Sequence, residues 1–512
     1  MNKLKQFVYS KRFIAGILAL FQLRLFFFLT TKLYTVGSTA YTLLTIFSIL
    51  IMLYILEKDN MNPSYKIIWI IIMVFFPVSG ALFYFLFGDT KLTRKQQKGI
   101  RQLEDKIRRH MTPNPYIIEK LSKIDRSIGK QAFFLERNGH APAYENTAVK
   151  YYDMGAAMFR DMLADLKNAK ESIFMQYFII DEGFMWGSIL DILKEKAAAG
   201  VDVRLIYDGW GCLINLPEGY EKQLREWGIK TYIFNDVKFS MHLGDYLMLN
   251  HRDHRKITVI DSTIAYTGGI NIADEYINVI ERFGVWKDTG FRMEGDAVWS
   301  MTTTFLNTWE GVAKSKEDYN KFRPRYSMES DGYVQPYYDT PLDRINLCEN
   351  SYLSVINNAK DYVYIATPYL IIDNELITAL TIAAQSGVDV RIVVPGIPDK
   401  WYVYYVTQSY YRTLLKAGVK IYEYIPGFIH AKMYASDDIQ AIVGGANTDY
   451  RSMYLNYENC CSFYGGSIVD RVKKDFEDTF SKSRQVTITD VNKTGFFKRL
   501  LQLFLRVLSP MM

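Results

Sequence analysis

His254 and Lys256 stand two residues apart in "HRKITVID", and His430 and Lys432 stand two apart in "HAKMYASD", 176 residues further on. Each pair is followed by an acidic residue at the same distance, Asp261 or Asp437, and then by Gly-Gly-x-Asn: Gly268, Gly269, Asn271 and Gly444, Gly445, Asn447. The chain has only six histidines, so two of them in matched contexts point to a duplicated half-site. Period-2 spacing puts each imidazole and its ammonium on one side of a strand. An imidazole beside a fixed cation suits an anionic, phosphate-like substrate, because the ammonium neutralises non-bridging oxygens while the ring attacks or carries a proton. Glycines allow close backbone approach, and the Asn amide can donate to a phosphate oxygen. Two half-sites face to face would set two His, two Lys and two Asn around one phosphate. Asp261 and Asp437 fall on the opposite parity at the strand's end, which leaves a hydrogen-bonding role and a chemical one both open.

Each imidazole needs a carboxylate to fix its tautomer and stabilise its protonated form. Glu458 in "LNYEN" is the choice for His430, and Asp288 in "VWKDTG" is its counterpart for His254. The doubled motif, with "NHRDHRK", "GGINIADEY" and "NTDYRSMYLNYEN" around it, resembles the phospholipase D superfamily and within it the bacterial cardiolipin synthase branch, from about residue 37 to the C-terminus. That resemblance implies a phosphatidyl transfer in which two phosphatidylglycerol molecules become cardiolipin and glycerol. It also implies His254 as nucleophile and His430 as acid and base, although the near-symmetry of the motifs leaves the order open. No metal or other cofactor is expected, since two lysines already meet the phosphate charge, and no nucleotide-binding loop is present.

Repetition extends beyond the motifs. "AAAGVDVRLI" recurs as "AQSGVDVRIV", "GIKTYIF" as "GVKIYEY", and the apolar stretches "SIFMQYFIID" and "YIATPYLIID" end on Asp181 and Asp373. Strands alternating with helical stretches predict an α/β fold. It is expected as two pseudo-symmetric phospholipase D-like halves with β-sheets layered by helices, at 140–325 and 335–485, with the site between them.

The N-terminal region belongs to a different solvent. Residues 37–56 and 67–87 are uncharged and long enough to cross a hydrocarbon core of roughly 30 Å, so a transmembrane hairpin is expected over 37–90, with a kink at Pro77 and Gly80. Lys91, Arg94, Lys95, Lys98 and Arg101 follow it, whereas the turn carries Lys58 and Lys66 against Glu57 and Asp59. Counting basic residues puts the turn outside and the catalytic part in the cytoplasm. Residues 91–139 read as a linker. Within 1–36, the apolar stretch 13–29, interrupted by Gln22 and Arg24, reads as a signal sequence, a third span or, by preference, an in-plane helix.

Composition agrees. A net charge of +6 and 15% aromatic residues suit an anionic membrane surface. The four cysteines lack metal-ligand spacing and fit a reducing compartment. No extended basic, aromatic-studded strand reads as a nucleic-acid groove. "FFKRLLQLFLRVL", within 494–509, reads as a basic amphipathic helix at the lipid surface or packed on the core. "WYVYYVTQSYYR" fits a core helix and a substrate-entry lip equally.

Overall fold

The computed structural model describes residues 38–58, 61–88, 94–237, 250–343 and 345–512, together with Arg24, Phe28 and Thr31. The expected helix at 13–29 lies outside the described residues apart from Arg24 and Phe28. The strands, in chain order, are β1 (Thr147–Tyr152), β2 (Ser172–Tyr177), β3 (Asp202–Asp208), β4 (Lys230–Phe234), β5 (Arg252–Asp253), β6 (Ile257–Ile260), β7 (Ile264–Gly268), β8 (Val285–Lys287) and β9 (Gly290–Gly295). They continue as β10 (Tyr333–Asp339), β11 (Tyr362–Ala366), β12 (Asp389–Pro395), β13 (Lys420–Tyr424), β14 (Gly427–Ile429), β15 (Met433–Ser436), β16 (Gln440–Gly444), β17 (Asn456–Tyr464) and β18 (Ser483–Gln485).

The repeats fold into two sheets of matching order. The first runs β1-β9-β7-β6-β2-β3-β4, and the second β10-β17-β16-β15-β11-β12-β13-β18. In each, three parallel strands at one side join antiparallel strands at the other through the strand that follows His-x-Lys. Central strands such as β2 and β16 are buried along their whole length, which is why they read as continuous apolar runs. One core is shared by the halves. Phe174, Val259 and Phe291 from the first sheet meet Met433, Ala435 and Phe463 from the second there, with helices 298–313 and 467–481 around them. Phe291 stands edge-on to Phe463 at 5.0 Å across the boundary.

Two short parallel pairings tie the halves together. β5, just ahead of His254, pairs with the start of β17, and β14, just ahead of His430, pairs with β8. A buried ionic link lies in the same boundary, where Asp475 accepts from Tyr151 Oη and from Lys287 Nζ, both at 2.6 Å.

Two expectations need correction. The stretch read as a linker holds three helices, α4 (Arg94–His110), α5 (Pro115–Ile124) and α6 (Arg126–Gly139). Ile107 and Met111 enter the shared core and Leu135 the core of the second half, so these helices strap the halves together. The apolar leader forms α1 (Ser38–Glu57), α2 (Pro63–Phe75) and α3 (Pro77–Phe87). Pro77 divides the second apolar stretch, because a proline within a helix removes a donor and clashes with the preceding turn. No helix among the described residues is long and apolar enough to cross a membrane. The turn placed outside by counting charges instead bonds to the second half, through Asn62 to Tyr454 at 2.8 Å and Tyr450 to Ser64 at 2.9 Å. At the other terminus, helix 496–507 packs Leu505 inward and leaves Phe496, Phe497, Leu503 and Phe504 exposed. It lies on helix 401–417, with Lys498 over Tyr405 and Arg506 over Tyr410. That aromatic helix is thus mostly a packing element, Tyr410 and Tyr411 facing inward and Trp401 remaining exposed at its start.

The Lys287–Asp475 link gives a stability test. Removing one partner of a buried pair leaves the other charge uncompensated, a loss of about 3–5 kcal/mol. Asp475→Leu is expected to lower the apparent Tm by several degrees, read by a thermal scan of the detergent-solubilised protein. Arg325→Ala, which breaks the exposed pair with Glu171, is expected to leave it within a degree or so, since such surface pairs contribute roughly 0–1 kcal/mol.

Candidate active site

The two His-x-Lys segments sit where the halves meet. Each leads into a central strand, β6 or β15, so strong pairing on both sides fixes the backbone just beyond the reactive groups. The main-chain N–H of His254 donates to Tyr457 O at 2.9 Å, and that of His430 to Lys287 O at 2.7 Å, each bond crossing between halves.

This crossing decides which carboxylate serves which ring, and the expected pairing is reversed. His254 Nδ1 lies 2.8 Å and 3.0 Å from the two oxygens of Glu458. His430 Nδ1 lies 2.5 Å from Asp288 Oδ2. Each half lends its carboxylate to the histidine of the other, because β17 and β8 run beside the strand leading to the opposite motif. With Nδ1 engaged, Nε2 is the nitrogen left to each ring for a substrate.

The glycine pairs make room for these carboxylates. A Cβ on Gly269 would stand 2.2 Å from Asp288 Oδ1, and one on Gly445 would stand 3.2 Å from Glu458 Oε2. The lysines are as deeply enclosed as the acids. Lys256 Nζ reaches His254 O at 2.5 Å, whereas Lys432 Nζ reaches both His430 O and His430 Nδ1, the latter at 2.7 Å.

Burial dominates the electrostatics. It pushes His254 down to about 4, although Glu458 favours its charged form, and it pushes His430 well below the ordinary range with help from Lys432 and Lys256. Both rings are therefore neutral in the resting site near pH 7. Burial also lowers Lys256 to about 8 and Lys432 to about 7. The two acids differ. Burial lifts Asp288 to about 7 despite Lys432, whereas His254 and Lys256 outweigh burial at Glu458 and hold it below its usual value.

The remaining expected residues divide. Asn271 is at the site's edge but occupied, accepting from the Ile179 N–H at 3.1 Å and donating to Tyr276 Oη at 2.7 Å. Asn447 is buried, and its Oδ1 has no hydrogen-bond partner, so an acceptor is left free beside the site for a donor such as a substrate hydroxyl. Asp261 and Asp437 lie at the far ends of β6 and β15, in positive-φ turns. Asp261 accepts the N–H groups of Lys170, Glu171 and Ser172 at 2.8–2.9 Å, and Asp437 those of Lys360, Asp361 and Tyr362 at 2.8–2.9 Å. Of the two roles left open for them, the chemical one is corrected to the hydrogen-bonding one: they cap the start of the neighbouring strand, five residues from the lysines.

Sequence reasoning missed the aromatic wall. Phe178 stands edge-on to His254 at 5.0 Å, and Tyr276 and Trp286 each lie 5.4 Å from His430. The positions of Tyr276 within "NIADEY" and Trp286 within "VWKD" were the available signal. Asn459 was missed too; its Oδ1 accepts from the Lys256 N–H at 3.3 Å, and its Nδ2 donates to Thr267 at 2.7 Å.

Comparison with known proteins gives the family. The family described as "Cardiolipin synthase, PLD-like domain" matches residues 162–283 and 352–480, and the phospholipase D-nuclease N-terminal family matches 42–88. An uncharacterized protein of Streptococcus mutans serotype c is 41% identical over 469 residues, 89% of this chain and 98% of that one. Cardiolipin synthase of Alkalihalophilus pseudofirmus is 34% identical over 485 residues, 93% of each chain, and cardiolipin synthase 1 of Bacillus anthracis is 33% identical over 469, 90% of this chain and 91% of that one. In fold alone, phosphatidylserine synthase of Haemophilus influenzae Rd KW20 is similar, with a TM-score of 0.58 at 15% identity, covering 74% of this chain and 97% of that one. The chain belongs to the cardiolipin synthase family of the phospholipase D superfamily.

The strand-capping role of the two aspartates is separable from chemistry. Asp437→Ala removes the acceptor of three N–H groups and is expected to destabilise the protein by about 1–3 kcal/mol. Activity per folded molecule should remain within about threefold of the parent, measured as product formed against the fraction surviving a heat challenge. A loss of a hundredfold at unchanged stability would return Asp437 to the chemistry.

Proposed function

We propose that this protein is a cardiolipin synthase, a phosphatidyltransferase that joins two phosphatidylglycerol molecules and releases glycerol. The observation that carries the reading is the pair of imidazoles held at Nδ1 by reciprocal carboxylates, each beside a buried lysine, in a chain of this family. His254, whose ionised partner Glu458 stabilises positive charge on the ring, is the nucleophile. Its Nε2 attacks phosphorus, the bond from phosphorus to the glycerol oxygen breaks, and the departing oxygen takes a proton from His430. His430, held low in proton affinity by burial and the neighbouring Lys432 and Lys256, gains its proton once the anionic phosphate is bound, with Asp288 supporting the charged ring. Neutral again, it removes the proton of the second lipid's hydroxyl, which attacks phosphorus and frees His254. Lys256 and Lys432 neutralise the non-bridging oxygens throughout, and Asn447 Oδ1 is free to accept from a lipid hydroxyl. Asn271 acts through Tyr276, as a positioning residue. With two cations supplied by the chain, the scheme calls for no metal.

The reaction places the protein at a membrane, where its substrates are. Family membership and the match over 42–88 support that association. The exposed apolar face of helix 496–507, flanked by Lys498, Arg499 and Arg506, fits the surface of an anionic leaflet. The catalytic part is assigned to the cytoplasmic side on the basic residues that follow α3.

Turnover tests the scheme directly. His254→Ala and His430→Ala are each expected to lose far more than tenfold, or more than ~1.4 kcal/mol of barrier lowering, with no doubling when combined. With phosphatidylglycerol as the sole lipid, cardiolipin and glycerol should appear together, and high added glycerol should reverse the exchange. Phosphatidic acid as the main product would make the protein a hydrolase instead.

The buried cations set the pH dependence. Protonated lysines bind the phosphate, so as pH rises through about 7–8 the free site loses charge and KM should climb. Bound phosphate holds the protons on, so kcat should persist to higher pH. On the acid side, kcat/KM should fall only as His254 protonates near pH 4. Separate kcat and kcat/KM profiles check this, and a kcat/KM that stays flat to pH 10 would contradict it.

A further inference from the structure

The turn between α1 and α2 rests on the catalytic part of the protein. Asn62 Nδ2 donates to Tyr454 Oη at 2.8 Å and to Asp373 Oδ2 at 3.3 Å, and Tyr454 itself donates to Asp373 at 2.7 Å. Tyr65 stands edge-on to Tyr450 at 5.9 Å and to Tyr454 at 6.0 Å. These tyrosines belong to the short helix Tyr450–Tyr454, three residues beyond Asn447.

From this turn α2 leads away, but the chain does not continue in that direction. Phe76 leaves the helical conformation (φ −136°, ψ 72°), and α3 folds back along α2. Gly80 lies so close to the preceding helix that a Cβ there would be 3.0 Å from Ile72 O and Met73 Cα. Tyr84 reaches Trp69 edge-on at 5.4 Å, and the Lys58 ammonium lies 5.9 Å over the Tyr84 ring. The end of α3 has thus returned to the level of the turn. At the bend, the Phe76 N–H donates to Ile72 O at 2.9 Å, the Gly80 N–H to Phe76 O at 2.7 Å, and Ser48 Oγ, from the middle of α1, to Pro77 O at 2.5 Å. A bend inside hydrocarbon must satisfy its backbone groups internally, and these three bonds are made by its own chain and a neighbouring helix.

We propose that residues 63–87 form a re-entrant hairpin that enters the membrane and leaves by the same face, with the α1–α2 turn and the catalytic halves on one side. The occupant of its apolar surface is the hydrocarbon of the bilayer. Thirteen residues of α2 rise about 20 Å, short of the roughly 30 Å needed to cross. Ile67, Val74 and Phe75 are exposed along α2, Phe75 at its tip. The C-terminal segment meets the base of the same bundle, where Leu508 packs on the cluster of Ile55, Ile68, Trp69 and Tyr84. Helix 496–507, immediately before it, is thereby set to lie along the leaflet surface with Phe496, Phe497 and Phe504 outward. The positive charge also becomes consistent: Lys58 and Lys66 flank a turn on the catalytic side, where α4 also docks.

The test uses the full chain in native membranes and does not depend on the reaction. The four natural cysteines are buried, so single cysteines can be introduced at Glu57 or Lys66 in the turn, at Phe75 in the tip, and at exposed Lys123 on α5 as a reference for the catalytic side. A membrane-impermeant maleimide is applied to intact cells and to inverted vesicles. Glu57→Cys and Lys66→Cys are expected to react in the preparation in which Lys123→Cys reacts, at least tenfold more than in the other. Phe75→Cys should react in neither until detergent is added. Reaction of the turn from the face opposite to Lys123→Cys, or of Phe75→Cys from that face in a sealed membrane, would overturn the proposal in favour of two crossings.

Discussion

The structure depends on a reciprocal loan. Neither half holds both a catalytic imidazole and the carboxylate that fixes it: His254 is served by Glu458 and His430 by Asp288. The short pairings β5 with β17 and β14 with β8 exist to make that exchange, and the main-chain bonds from His254 to Tyr457 and from His430 to Lys287 lock its register. A one-residue slip in either pairing would turn the carboxylate to the other face of its strand. The shared apolar core, the Lys287–Asp475 link and the strap of α4 to α6 are the means of holding two sheets to that tolerance.

Enclosure gives the site its reactivity and its problem. Taking two ammonium groups, two imidazoles and two carboxylates out of water is unfavourable unless each charge is matched. Among these groups the balance is struck by weakening the positive ones, so that both histidines are neutral and both lysines have lowered proton affinity. A phosphodiester completes the set of charges. In the proposed scheme binding and protonation would then be one process, the substrate's negative charge drawing in the proton that its leaving group needs. The aromatic wall of Phe178, Tyr276 and Trp286 lines the same place, and in the proposed scheme it would favour discharge of a covalent intermediate by an alcohol over hydrolysis.

Much of this was legible in the sequence because chemistry that lies close along the chain survives in a spacing pattern. His254, Lys256, His430, Lys432 and the glycine pairs could be read that way, as could Glu458 and Asp288 as the acids required. Which acid serves which ring could not, since the pairing depends on two segments from opposite halves running side by side. Asp261 and Asp437 belong to the same pattern for a different reason: three N–H groups at the start of a strand need an acceptor there. The helices at 94–139 were hidden by their charge, because the basic and acidic run over Arg94–His110 masks the few apolar positions, such as Ile107, that dock. Hydropathy found the apolar leader and Pro77 signalled the break in its second stretch, but the direction of the bend at Phe76 is set by packing of α3 on α2 and α1.

The two orienting acids differ by one methylene, and this small inequality has a further meaning. A pair of identical subunits related by a two-fold axis would carry the same acid on both rings, so neither ring could be committed by sequence to attack or to proton delivery. Joining the copies in one polypeptide removes that degeneracy. Aspartate on one side and glutamate on the other, with Lys432 touching its ring nitrogen and Lys256 not, give the two imidazoles different proton affinities before any lipid arrives. The division of labour proposed above would thus be an inherited bias of the resting molecule, available only to a chain that contains both copies of itself.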